Sequence, residues 1–324
     1  MSPAKQLSHL SAKERALIKA IQSKDTKSVR ALIAKGVNVN CEGGWEYHTC
    51  VTPLMFASEA GNFQIVSDLL KAGADPNRRD MSPDVNRQDR PDATALHYAV
   101  HLFAEGKPSL KVIKALLDAG ADPNDRYAIG DTALDIASRC GFEDAVELLL
   151  EHGGDPNATV GMQGRDALSE AVSNGHLGIV RTLLKAGAHP NGLSDVGATP
   201  IMGAVACPRA GENGFSAKVY LDIMRLLLKA GAEVDRATIK GGDRFNPKGR
   251  TALMMGVDEA ACSLIKGAFR SRLAAIQLLI EEGRARVNLK DSQGKTALDY
   301  ASVSDFPELP EYLKKHGARL GKDI

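Results

Sequence analysis

Leu69–Asn77 reads LLKAGADPN, and the phrase returns as LLDAGADPN at Leu116–Asn124, LLEHGGDPN at Leu149–Asn157 and LLKAGAHPN at Leu183–Asn191. A refrain at a near-fixed interval marks a repeat array, in which one unit cannot bury its own apolar face and stacking supplies the core. Weaker forms close further units at Gly36–Asn40, Gly231–Asp235, Gly283–Asn288 and Gly317-Ala318. A second phrase opens the units: Thr52-Pro53-Leu54, Thr94-Ala95-Leu96-His97, Thr132-Ala133-Leu134, Thr199-Pro200-Ile201, Thr251-Ala252-Leu253 and Thr296-Ala297-Leu298. From Thr132 to the matching Asp166 is 34 residues, and from Asp166 to Thr199 is 33.

Each recurrent residue has a physical task. The opening Thr can cap a first helix by accepting from backbone N–H groups two or three residues on. Pro53 and Pro200 fall in the first turn, where a missing N–H costs nothing. Small residues such as Ala57, Ala99, Ala137, Ala171, Ala204 and Ala301 let helices of adjacent units approach. Ile65, Val66, Leu69 and Leu70 form the apolar stripe of a second helix, as do Val146, Leu149 and Leu150. Gly73, Gly120, Gly153, Gly187, Gly231 and Gly317 follow its last turn, where a left-handed cap favours glycine. Asp-Pro-Asn then turns the chain into a loop.

With this period and these two phrases the chain resembles the ankyrin-repeat family over nearly its whole length. The resemblance implies an all-α fold, a solenoid of stacked helix-turn-helix units with β-hairpin-like loop fingers. Eight units are expected in a single domain spanning 1–324, at about 11–41, 47–79, 89–126, 127–159, 161–193, 194–236, 246–289 and 291–319. Terminal units should look atypical because they expose an outer face. Ser11-Ala12-Lys13-Glu14 offers a capping box in place of the usual opening, and Pro307 and Pro310 start a short polar last helix.

Composition narrows the function. Only 5% of residues are aromatic, as small interhelical residues require, and a net charge of +1 gives no global pull toward nucleic acid or membrane. No run of eighteen apolar residues and no apolar N-terminal stretch occur, so neither membrane spanning nor export is expected. Five cysteines, an odd and scattered set at 41, 50, 140, 207 and 262, suit free thiols in a reducing, cytoplasmic setting. No G-x-S-x-G, H-E-x-x-H or phosphate-binding glycine loop is present, so no enzyme and no cofactor are expected. His97 belongs to the opening phrase and is expected to hydrogen-bond within the turn. Cys41, His48 and Cys50 lie within ten residues. They could hold zinc, the two cysteines could bridge, or all could stay free, although no C-x-x-C pair or fourth ligand is evident.

Individual function should lie where the period breaks. Arg78–Pro91 inserts a loop between the second and third units, and Phe103–Ser109 lengthens the third. Cys207–Ser216 and Ala260–Ser271 do the same inside the sixth and seventh, and Ala237–Arg250 separates those two. Insertions in solenoids map to loops, often on the binding face.

The resemblance further implies partner binding through a concave face of loop tips and first helices. Carried over by position, this selects Trp45, Tyr47 and His48 in the first inter-unit loop, then Arg90, His101 and Leu102. Tyr127, Ile129, Arg139, Met162, Arg165, Ser173 and Asn174 follow, and then Arg244, Phe245, Lys248 and Arg250. Trp45, the only tryptophan, sits in a glycine-flanked tip, where it either folds over its own loop or anchors a partner. From Ala237 to Lys295 eleven Lys or Arg face six acids, a balance of +5. That excess would favour an acidic protein partner, or alternatively a nucleic-acid backbone or phosphate ligand. A monomeric adaptor, scaffold or inhibitor that binds an unidentified protein is the expectation.

Overall fold

Thr132 shows how a unit begins. Its hydroxyl accepts from the Asp135 N–H at 3.2 Å while the Asp135 carboxylate accepts from the Thr132 N–H at 2.8 Å, a reciprocal cap that satisfies otherwise orphaned donors. The position three residues into the helix varies without losing this function. Met55 and Met202 offer sulfur to the Thr52 and Thr199 N–H groups at 3.3 and 3.4 Å, and Asp299 offers a carboxylate to Thr296 at 2.7 Å. His97 offers Nδ1 to the Thr94 N–H at 3.1 Å, the local bond expected of it.

In the computed structural model the described residues are 10–45, 48–80, 92–100, 108–127, 130–158, 165–206, 217–241, 248–261, 266–304 and 306–324. They form two compact units, Met1–Met162 and Gln163–Ile324. The first contains helix pairs α1 (Ala12–Gln22) and α2 (Thr26–Ala34), α3 (Pro53–Glu59) and α4 (Phe63–Lys71), α5 (Ala95–Val100) and α6 (Leu110–Asp118), and α7 (Ala133–Cys140) and α8 (Glu143–Glu151). A two-stranded antiparallel hairpin, β1 (Gly43–Trp45) and β2 (His48–Val51), precedes α3. The second unit contains α9 (Ala167–Ser173) and α10 (Leu177–Lys185), α11 (Pro200–Val205) and α12 (Ala217–Lys229), α13 (Ala252–Ala261) and α14 (Lys266–Glu281), and α15 (Ala297–Ala301) and α16 (Glu308–Lys315). Ala260–Ser271, read as an insertion mapping to a loop, is helical at both ends, within α13 and α14. The stretch KGAFRSR at 266–272 carries no Pro, Asn or Asp to break a helix, so it lengthens α14.

Within each unit, first helices pack on first helices and second on second: α1, α3, α5 and α7 in one, α9, α11, α13 and α15 in the other. Most of the stripe residues form the core, with Leu17, Leu54, Ile65, Leu69, Leu116 and Leu149 wholly buried in the first unit, whereas Leu70 and Leu150 at the edge of the stripe are only half-buried. Close helix approach explains Gly256, where a Cβ would lie 2.5 Å from Val205. Ser11 and Glu14 form the expected capping box of α1, and Pro307 is the N-cap of α16 with Pro310 in its first turn.

The refrain does more than turn the chain. Its Asp makes the turn: Asp75, Asp122 and Asp155 accept from the N–H of Asn77, Asn124 and Asn157 at 3.0, 2.8 and 2.9 Å. Its Asn joins neighbours. The Asn124 amide donates to the Gly153 carbonyl at 2.9 Å and accepts from the Asp155 N–H at 2.7 Å, so one side chain clasps the helix end of the next pair. Asn40 and Asn77 clasp Gly73 and Gly120 in this way, and in the second unit Asn191 and Asn288 clasp Gly231 and Gly317. Asp235 stands where the amide would be and lacks the donor. It accepts instead from the backbone N–H and Nε of Arg286, both at 2.9 Å. Asn124→Ala should therefore lower unfolding free energy by about 1 to 2 kcal/mol through two lost hydrogen bonds. Urea melts will check the size, and faster hydrogen exchange confined to the Asp155 amide region will check the cause.

His97 carries a pH dependence. It is buried, with its ring centroid 5.4 Å from that of Tyr127 in an edge-on arrangement, and burial pushes its imidazole down to about 4. The unfolded chain titrates near 6.5, so it binds the proton first. Stability is full above pH 6.5 and is lost as pH falls toward 4, by about 3 kcal/mol in all. His97→Asn, which keeps a polar acceptor that does not titrate, should flatten the melting temperature across that window; an unchanged slope would place the acid sensitivity elsewhere.

Candidate functional site

The loops that leave the helix pairs share one neck. The residue three places beyond the refrain Asn, or beyond Asp235 in its place, donates its N–H across the loop and accepts one back from a residue in the left-handed region. Tyr127 N–H meets the Asp131 carbonyl at 3.3 Å and Gly130 N–H the Tyr127 carbonyl at 2.6 Å. Ser194 with Ala198, Thr238 with Arg250 and Asp291 with Lys295 repeat it at 3.0, 3.0 and 2.9 Å. Asp80 closes with Ala93 at 3.1 Å. The returning residue is glycine at 130, 197, 249 and 294, with φ from 76° to 90°, and Asp92 at φ 73° takes the place in the remaining neck. Glycine adopts that conformation freely, and Asp is among the few other residues that tolerate it. The neck therefore persists whether the loop encloses three residues or the long insertions after Asp80 and Thr238.

Polar side chains reinforce these necks. Tyr98 donates to Asp80 at 2.6 Å, Arg139 pairs with Asp131, and Arg250 reaches Asp258 at 2.7 Å while lying 5.0 Å above the Tyr300 ring. Tyr300 in turn donates to Asp291, and burial together with that carboxylate pushes the Tyr300 hydroxyl well above the ordinary phenol range.

This arrangement sorts the residues selected from the sequence. Tyr127 and Arg250 are corrections: they are 4% and 6% exposed, and they serve the necks instead of presenting a side chain outward. Neck position, not loop membership, decides their burial. Arg139 is held by Asp131 and keeps 36% of its side chain exposed. Arg165 and Lys248 are exposed. Trp45 and His48 face one another in the backbone register of the β1–β2 hairpin, the first of the fingers. Tyr47, Arg90, His101, Leu102, Met162, Arg244 and Phe245 lie outside the described residues, as does Ile129.

What the sequence reading missed is an apolar shelf on the fingers of the second unit. Leu193, Val196 and Ile239 are exposed, Ile239 to 53%. Val196 and Ile239 are held in place because the two fingers zip together: the Ile239 and Lys240 N–H groups donate to the Val196 carbonyl at 3.1 and 3.2 Å. Gly197 makes room, since a Cβ there would stand 2.7 Å from the Ile239 nitrogen. The next finger joins by a bond from the Ser292 N–H to the Lys248 carbonyl at 2.8 Å. A fixed backbone leaves less ordering entropy to lose on binding. The signal was present in NGLSDVGA and ATIKGG, where an apolar residue stands in a turn-rich stretch without a periodic partner.

The first finger is tied down at its base, where Glu42 pairs with Arg78 at 3.2 Å. Cys41 beside it is a free, buried thiol that burial pushes up to about 11. Among the described residues no group of three or more His, Cys, Asp or Glu could hold a metal ion, and no helix is long and apolar enough to cross a membrane.

Known proteins share this architecture. The family profile described as "Ankyrin repeats (3 copies)" matches residues 3–80 and 81–160, and that described as "Ankyrin repeat" matches 163–195. An ankyrin repeat domain from Acinetobacter baumannii superposes with a TM-score of 0.53 and 31% identity, covering 67% of this chain and 97% of its own. Among curated relatives, human "Ankyrin repeat and SOCS box protein 16" is 31% identical over 57% of this chain and 33% of its own length. A Caenorhabditis briggsae "Ankyrin repeat and KH domain-containing protein" is 28% identical over 83% of this chain and 8% of its own. Mouse "2-5A-dependent ribonuclease" is 47% identical over 64 residues, 19% of this chain and 8% of its own. The chain thus spans a third or less of the length of these curated relatives, and ankyrin repeats are in general a non-catalytic fold for protein–protein interaction. Threonine caps, asparagine clasps, finger necks and matched profiles over more than half its length agree: the chain belongs to the ankyrin-repeat family.

Proposed function

We propose that the chain is a non-catalytic, monomeric interaction module of the cytoplasm, an adaptor, scaffold or inhibitor that grips a protein partner with its fingers. The observation that carries this reading is the zipped pair of Val196 and Ile239, apolar, exposed and backbone-fixed beside Lys240, with exposed Leu193 on the same finger as Val196. Exposed apolar side chains grouped with a polar rim mark interaction sites. The flanking lysine favours an acidic partner there, and steers its approach more than it tightens its grip. The hairpin of Trp45 and His48 is proposed as a contact of the first unit, since tryptophan dominates interface energies where it is buried by a partner.

The test pairs wild type with a Val196→Asp, Ile239→Asp variant as bait, after both are shown to melt alike. A protein retained by the first and lost by the second supports the reading. Retention by both moves the contact off the shelf. Recovery only of nuclease-sensitive material, with affinity falling steeply with salt, would favour nucleic acid instead.

A further inference from the structure

On the side of the first unit formed by second helices, an open groove of about 700 Å³ runs between α4 and α6. Its floor follows one-turn spacings along both helices, with Phe63, Ser67 and Leu70 on α4 and Ala115 and Ala119 on the α6 side. Ser67, Ala115 and Ala119 are too small to fill the seam, and Phe63, 42% exposed, stands at one end. The rim is cationic. Lys71, Lys111 and Lys114 line it, and its one carboxylate, Asp118, is engaged with Lys114 at 3.1 Å.

Four other second-helix seams carry a cross-link. Arg30 reaches Asp68 at 2.7 Å between α2 and α4, and His152 reaches Asp118 at 3.4 Å between α8 and α6. In the second unit Arg225 meets Glu282 at 3.4 Å, and Tyr312 donates to Glu281 at 2.8 Å. Among the described residues, no ion pair or side-chain hydrogen bond crosses the seam between α4 and α6. Lys71 and Lys111 are left facing solvent over an apolar floor.

We infer that this groove receives a short acidic amphipathic helix from a protein partner. Phe63 to Leu70 extends over about 10 Å, two helical turns. That length suits a helix laid in a groove with anchors at i, i+3 or i+4, and i+7. Carboxylates flanking such a stripe would meet Lys71 and Lys111, and the uncrossed seam lets the helix enter without breaking the Lys114–Asp118 pair. The site is distinct from the finger shelf and stands or falls independently of it.

The probe is a capped, fluorescent helical peptide of about 14 residues with Leu at the stripe positions and Glu beside them, compared with the same peptide carrying Lys for Glu. Titrated with the full chain and followed by anisotropy, the acidic peptide should bind saturably and weaken with salt, and the basic one should bind at least about tenfold more weakly. Ser67→Glu with Ala115→Glu should abolish binding, and Lys111→Glu should weaken it about tenfold, with circular dichroism melts unchanged. Equal affinity for the two peptides, retention by the double variant, or no saturation below millimolar concentration would overturn the inference. So would self-association seen by sedimentation and lost in the double variant, which would assign the groove to a second copy.

Discussion

Leu69→Ala will lower the unfolding free energy by about 2 to 5 kcal/mol, read as a fall in the urea midpoint at unchanged slope. Leu69 is wholly buried in the stripe that α4 turns toward its neighbours, and truncation removes apolar contact while leaving a cavity that rigid flanking helices fill poorly. Because each pair is stabilised only by adjacent pairs, a weakened internal member loosens both of its interfaces. Leu70→Ala, one residue along and half-buried against the open groove, should cost much less. Similar losses at the two positions would show that the stripe does not define the core.

Arg250→Ala is the second large effect, expected at about 3 kcal/mol. It strands the Asp258 carboxylate and removes the cation above Tyr300. Arg250→Lys should recover only part of the loss, since an ammonium neither forks onto a carboxylate nor stacks as a planar guanidinium does. Lys248→Ala, two residues earlier and exposed, should change stability by less than about 0.5 kcal/mol. A double-mutant cycle with Asp258→Ala separates the pair from the stacking. Equal, small effects at 248 and 250 would return Arg250 to the surface.

These two positions show what could be read from sequence and what could not. The stripe was legible because a period of 3.6 residues translates directly into one buried helix face, and the Thr and Gly boundaries follow from local backbone chemistry. Arg250 was not legible. Its burial depends on Asp258, eight residues later, and on Tyr300, brought beside it by the next helix pair. Lys248 and Arg250 look equivalent as letters in a basic loop, and only the neck distinguishes them. Ile239 failed in the opposite sense, because an apolar residue in a loop reads as unremarkable until the Val196 carbonyl is seen to hold it out in the open.

The asparagine clasp and the finger neck together set a rule for how such a chain can change. Each clasp recognises the glycine that ends the next second helix, whether it lies 29 residues ahead, as Gly153 does from Asn124, or 43 ahead, as Gly120 does from Asn77. Each neck closes whatever length of chain it encloses. Stacking geometry and displayed loop are thus written in separate places, and doubling a loop adds only about 0.6 kcal/mol of closure entropy. A finger can be lengthened beyond its neck without lengthening any helix, and only where fingers are zipped, as Val196 is to Ile239, must neighbours change together.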